Sequence, residues 1–161
     1  MVPDALLAEA EALLAMCRAK GIRLATAESC TGGLIAATLT AIAGSSDVVD
    51  RGFITYSNES KSDLVGVPMA LIRSEGAISE GVARAMAEGA LVRSRATIAV
   101  SVTGIAGPGG GSREKPVGLV WFGLAQKGRP GSAERRMLPG DRGNVRASAV
   151  AHAFAMIRSQ L

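Results

Sequence analysis

The sequence predicts an α/β fold, a single-domain layered α/β/α sandwich with a mixed sheet, running through residues 1–161. Two patterns predict it. Segments with apolar side chains at helical spacing alternate with short β-branched runs, which places helices over the faces of a sheet. Two of the later runs are joined only by a glycine-containing turn, which makes that part of the sheet antiparallel. A chain of 161 residues can bury one core without disulfides or a structural metal.

After Asp4, residues Leu6, Ala10, Leu13, Leu14 and Cys17 recur at helical spacing, and Gly21 stands where this first helix stops. Residues 23–27 read as a strand, residues 28–33 as a tight turn, and residues 34–42 as a helix ending at Gly44. Phe53, Ile54 and Thr55 mark a second strand over residues 52–56, after which Asn58 is expected to cap a helix broken at Pro68. Ser79 and Glu80 open a longer helix to Ser94, followed by a β-branched strand over residues 97–102. Residues 104–112 are too glycine-rich for regular structure. Residues 117–125 and 134–138 form a hairpin through the turn at 128–131, and Asp141 caps a last helix with Val145, Ala149, His152, Ala153 and Met156 on one face.

Composition narrows the function. Aromatic residues are 3% of the chain, too few for platforms that stack single-stranded bases. The net charge is +4, but the basic residues are scattered apart from Arg135-Arg136 and the pair Arg142 and Arg146, a pattern that favours a solvated surface over direct nucleic-acid binding. Cys17 and Cys30 lack CxxC spacing, the N-terminus lacks a signal-peptide succession, and no apolar run reaches the roughly 18 residues of a membrane span. The expectation is a cytoplasmic protein with reduced thiols and no membrane partner. No Cys/His/Asp cluster suggests a metal.

Several segments bear chemistry. The turn Glu28-Ser29-Cys30-Thr31-Gly32-Gly33 sets small polar groups at a helix start, where free N–H groups favour a phosphate or an oxyanion; an ordinary capped helix reads equally well there. Tyr56-Ser57-Asn58-Glu59-Ser60-Lys61 follows a strand end, a common ligand position in open α/β sheets. Lys61 serves as a base only if burial or a neighbouring cation such as Arg142 lowers its pKa. Residue 58 is Asn, so the Ser-x-x-Lys pattern is missing and a Ser29–Lys61 pair has to be made by the fold. The segment from Thr103 and Gly104 to Ser112 lacks Gly-Lys-Ser/Thr and leads into a strand, which makes it neither a Walker loop nor a dinucleotide fingerprint. Arg142 and Arg146 are four apart and face one way, an arrangement suited to gripping an anion. His152, the only histidine, sits among apolar residues and gives a serine–histidine triad little support, and Cys30 reads as a buried thiol.

The segments Thr26-Ala27-Glu28-Ser29-Cys30-Thr31-Gly32-Gly33, Gly52-Phe53-Ile54-Thr55-Tyr56-Ser57-Asn58, Val102-Thr103-Gly104-Ile105-Ala106-Gly107-Pro108 and Glu114-Lys115-Pro116-Val117-Gly118 strongly resemble the CinA C-terminal domain family. The likeness continues through Gly140-Asp141-Arg142 and Val145-Arg146 and covers nearly the whole chain in the family's order. It implies a stand-alone nicotinamide-nucleotide amidase, which hydrolyses the carboxamide of nicotinamide mononucleotide to nicotinic acid mononucleotide and ammonia. Carried over by motif, Ser29 is the nucleophile, Lys61 its general base, and Tyr56 and Thr103 orient proton transfer. The resemblance assigns Thr31, Gly32, Gly33 and Gly104 to substrate binding, the first three around an anion pocket, and makes Arg142 the candidate for the phosphate or for tuning Lys61. It implies a small pyridine nucleotide as partner, a homodimer, and neither metal nor organic cofactor. The alternative is a non-catalytic nucleotide-binding or competence-associated regulatory module.

Overall fold

The computed structural model describes residues 2–161. Helix α1 (Asp4–Ala19) leads into strand β1 (Leu24–Glu28), helix α2 (Leu34–Thr40), a single 3-10 turn (Ser45–Asp47) and strand β2 (Val49–Ile54). Helices α3 (Asn58–Val65), α4 (Met69–Glu75) and α5 (Glu80–Val92) follow, then strands β3 (Ile98–Gly104), β4 (Leu119–Gln126) and β5 (Ser132–Met137), and helix α6 (Arg142–Arg158). Among the described residues no helix is long and apolar enough to cross a membrane.

The strands form one mixed sheet in the order β2-β1-β3-β4-β5. β1 runs parallel to β2 and β3, whereas β3–β4 and β4–β5 are antiparallel, as the expected hairpin requires. Because strand side chains alternate, Leu24, Ile98, Val100 and Phe122 face one way and pack under α1, α2 and α6. The opposite face carries Ala25, Ala27 and Ala99 and meets α3, α4 and α5 through Val65, Ile72, Val82 and Met86. Each large apolar side chain in these layers contributes about 2 kcal/mol through its removal from water. Two helical layers thus enclose the sheet.

Three local details differ from the sequence reading. Asn58 does not cap α3; it is the first helical residue, and the Ser57 hydroxyl accepts the Ser60 N–H at 3.0 Å. Gly66, at φ of +69°, ends α3 before Pro68, and Pro68 starts another helix, its fixed φ of −61° suiting the entry to α4. β2 begins three residues early, at Val49, and its pairing to β1 recruits Arg51 while Asp50 bulges out between the Leu24–Val49 and Ala25–Arg51 pairs. Asp141 does cap α6, its carboxylate accepting the Asn144 N–H at 2.9 Å.

The alanine-lined face lets α5 lie close to the strands. Gly123 of β4 shows how close: a Cβ there would stand 2.1 Å from the Ala83 carbonyl oxygen and 2.4 Å from Ser101 Oγ. The Ser101 hydroxyl donates to that same carbonyl, fixing α5 to β3. Gly123→Ala gains up to about 1 kcal/mol from a less flexible unfolded chain. Overpacking against backbone costs about 1–3 kcal/mol or more, so the clash dominates. Urea denaturation is expected to show a lower midpoint for Gly123→Ala at an unchanged slope; an unchanged midpoint would mean that the α5–sheet spacing is adjustable.

Candidate active site

Ser29 stands immediately after β1. Its N–H donates to Val102 O at 2.9 Å, which carries the β1–β3 pairing one residue past Glu28. Its carbonyl then accepts the Gly32 N–H at 3.0 Å, turning the chain towards α2. The turn needs φ of +57° at Gly32 and +98° at Gly33, values that strain any residue with a Cβ. The strand end and the glycine turn together leave Ser29 at the carboxyl edge of the sheet, 9% exposed.

Lys61 reaches that edge from the other side. Thr55 prolongs β2 by donating its N–H to Glu28 O at 2.8 Å; Ser57 then caps α3, and the helix turns Lys61 inward until it is 1% exposed. Its Nζ donates to Thr55 O at 2.8 Å and, at 3.5 Å, to Tyr56 O, and it lies 3.2 Å from Ser29 Oγ. Carbonyl oxygens only accept, so two N–H bonds point at residues 55 and 56 and the third tetrahedral position faces Ser29. In the neutral amine that position is a lone pair able to take the serine proton. Burial favours this form, holding the Lys61 pKa below its ordinary 10.5, with Cys30 pulling weakly the other way. The fold makes the pair that the sequence motif lacks.

The two groups open into a cavity of about 220 Å³. The end of β3 supplies Thr103 and Gly104. Thr103 donates its hydroxyl to Ala77 O at 2.8 Å, tying the loop before α5 over the cavity, where Ala77 and Ile78 form part of the wall. At Gly104 a Cβ would sit 2.7 Å from Val120 Cγ2 and 2.8 Å from Leu119 O, so the strand pairing admits no side chain there. Arg142, the first residue of α6, donates to Gly107 O at 2.8 Å and to Tyr56 Oη at 3.3 Å, joining the glycine-rich loop to the tyrosine at the mouth. Tyr56 is 61% exposed, and it is the Tyr56 carbonyl that touches the lysine. It is burial, rather than the Arg142 charge, that lowers the Lys61 pKa.

Thr31, Gly32 and Gly33 do not line this cavity. Two amides in the first turn of α2 are already taken: Glu28 Oε1 accepts the Ile35 N–H at 2.8 Å and Oε2 accepts the Ala36 N–H at 3.0 Å. Thr31 is fully buried with no partner for its hydroxyl, and Arg146 donates to the carbonyls of Cys30 and Thr31 at 3.2 and 2.9 Å. Arg146 therefore braces the turn, and only Arg142 reaches the mouth. Burial pushes the Cys30 thiol up to about 11, which makes it a poor nucleophile beside Ser29. His152 packs edge-on against Phe122 and bonds Glu134 of β5, away from Ser29. Among the described residues no three His, Cys, Asp or Glu side chains gather as a metal site.

Residues 7–161 match the CinA C-terminal domain family. The chain belongs to that family. Over 143 residues it is 50% identical to the nicotinamide-nucleotide amidohydrolase PncC of Escherichia coli K12, covering 89% of this chain and 87% of that protein. It is 52% identical over 146 residues to a CinA-like protein of Mycolicibacterium paratuberculosis, covering 88% of this chain but only 33% of that longer relative. The chain likewise spans about a third of other long curated relatives. The crystal structure of the competence/damage inducible protein CihA from Agrobacterium tumefaciens superposes with a TM-score of 0.95 at 46% identity, covering 99% and 97% of the two chains.

In this CinA-family chain the sequence reading missed Thr55, whose carbonyl holds Lys61, and Glu28, whose carboxylate caps α2. It also missed Asn58 as a cavity wall, although Asn58 lies three residues before Lys61 and so on the same side of α3. The buried lysine has a thermodynamic signature. Between its folded pKa and 10.5 the unfolded chain binds more protons at residue 61 than the folded chain does. The native fold therefore loses stability as pH falls through that window, by at most about 1.4 kcal/mol per unit. Lys61→Met removes this dependence, so the stability of the variant relative to the native chain should grow as pH falls from 10 towards 7. A constant difference across that range in denaturant titrations would count against depression of the Lys61 pKa.

Proposed function

We propose that this chain hydrolyses the carboxamide of nicotinamide mononucleotide to nicotinic acid mononucleotide and ammonia. Ser29 is the nucleophile and Lys61 the general base. The observation that carries the reading is the contact of 3.2 Å between a buried lysine amine and Ser29 Oγ, with both other amine positions directed at carbonyls. The half-identity to a nicotinamide-nucleotide amidohydrolase along most of both chains supports the substrate.

In the first step Ser29 Oγ bonds to the amide carbon while its proton moves to neutral Lys61. The carbon–nitrogen bond then breaks, and the Lys61 ammonium returns the proton to the departing nitrogen as ammonia. Water adds to the resulting ester, again losing its proton to Lys61, and the acid leaves as Ser29 recovers its own proton. Glu28 occupies the Ile35 and Ala36 amides, so these two do not serve the oxyanion, and donors on the cavity wall are available to it. Asn58 and the Tyr56 hydroxyl, which accepts from Arg142 and keeps its own proton free, are placed for this. Thr103 acts at one remove, by holding the wall at Ala77.

A cavity of about 220 Å³ takes the pyridine ring and its carboxamide, leaving the ribose phosphate at the mouth. Arg142 spends two of its five N–H donors on Gly107 and Tyr56 and offers the others to the phosphate.

Incubation with nicotinamide mononucleotide and no added metal should give equal amounts of ammonia and nicotinic acid mononucleotide. Ser29→Ala and Lys61→Ala should each lower kcat by about 10²-fold or more. The base must be neutral to act, so kcat/KM should rise with pH up to the Lys61 pKa and level off above it, with the midpoint below 10.5. Tight nucleotide binding without any product from the folded native chain would instead favour a non-catalytic binding module.

A further inference from the structure

We propose that Glu28 is a positioning residue for the Ser29–Lys61 pair. It holds the nucleophile through its side chain and the base through its main chain. The inference takes from the function proposed above only that Ser29 is activated by Lys61.

Glu28 is 1% exposed, and among the described residues it has no cationic partner. A buried carboxylate without a counter-charge persists only where hydrogen bonds replace water. Three do: the Ile35 and Ala36 N–H groups at 2.8 and 3.0 Å, and the Thr26 hydroxyl at 3.2 Å. The helix-capping position of α2 is Gly33, which has no side chain, so the cap comes from outside the turn. That outside residue is the one directly before Ser29. Clamping Glu28 to the start of α2 closes the chain 28–36 into a ring with Ser29 inside it.

The main chain of the same residue reaches the base. Glu28 O accepts the Thr55 N–H at 2.8 Å, and Thr55 O accepts from Lys61 Nζ at 2.8 Å. One rigid residue thus stands between the serine, its covalent neighbour, and the anchor of the lysine. Two chain segments 32 residues apart meet within hydrogen-bond reach because both are referenced to Glu28.

Glu28→Gln keeps the shape but turns a donor towards one of two backbone donors, so α2 and the turn lose a bond. The expected result is that Ser29 drifts from Lys61 while the cavity still binds nucleotide. A fluorophosphonate probe reads this without the natural substrate: Ser29 Oγ bonds to phosphorus, fluoride leaves, and Lys61 takes the proton. In Glu28→Gln the second-order labelling rate should fall by about tenfold or more, because small misplacements of a reacting group are costly. The dissociation constant for nicotinamide mononucleotide, measured in the Ser29→Ala and Glu28→Gln/Ser29→Ala proteins, should stay within about twofold. A merely destabilised fold would weaken both.

Labelling within about twofold of native in folded Glu28→Gln, or a loss confined to nucleotide affinity, overturns the proposal. If Glu28→Gln does not fold, Thr26→Val decides, since it removes one of the three bonds at constant volume. A labelling rate lowered about threefold at native nucleotide affinity supports the proposal, and an unchanged rate overturns it. A native chain that the probe does not label also overturns it, for then there is no activated serine to position. A native chain that is labelled but forms no nicotinic acid mononucleotide contradicts the proposed amidase reaction and leaves the role of Glu28 to be judged by the variants alone.

Discussion

A lysine amine removed from water is the constraint around which this site is organised. Burial disfavours the charged form there, and the amine meets two carbonyl oxygens and a serine hydroxyl. Those carbonyls are free because they lie just beyond β2, where ladder pairing has ended and α3 has only begun. The capping serine at residue 57 starts the helix early enough to bring Lys61 back over Thr55 and Tyr56 within one turn. Burial and local chain direction together favour a neutral amine beside Ser29.

The sheet order explains why everything converges at one place. β1, β2 and β3 are parallel neighbours, so their carboxyl ends lie side by side and deliver Ser29, Thr55 with Tyr56, and Thr103 to a common edge. The antiparallel half has a different task. β4 presses against Gly104 and carries Gly123 under α5, which sets how deep the cavity wall can lie. An all-parallel sheet would place another loop at this edge; the hairpin instead leaves room for the glycine-rich segment that Arg142 holds.

Charge is distributed with similar economy. Arg142 and Arg146 lie on one side of α6 as their spacing demands, yet one grips Gly107 and Tyr56 at the mouth while the other grips Cys30 and Thr31 behind Ser29. The positive end of α2 is likewise engaged internally, by the Glu28 carboxylate.

The sequence by itself determined the α/β/α layering, the hairpin and the cap at Asp141, because alternation, helical spacing and turn residues are local properties. The motifs also named Ser29, Lys61 and Arg142, whose side chains the fold brings to one cavity. Only the tertiary structure decided what the amino end of α2 binds, since the carboxylate that fills it belongs to a strand and no spacing rule relates Glu28 to Ile35. It also decided that a main-chain oxygen, Thr55 O, anchors the lysine, a role that no side-chain identity encodes. The depressed pKa of Lys61 was beyond the sequence for the same reason. It arises from how many surrounding groups exclude water, and that is a property of packed layers rather than of neighbouring residues in the chain.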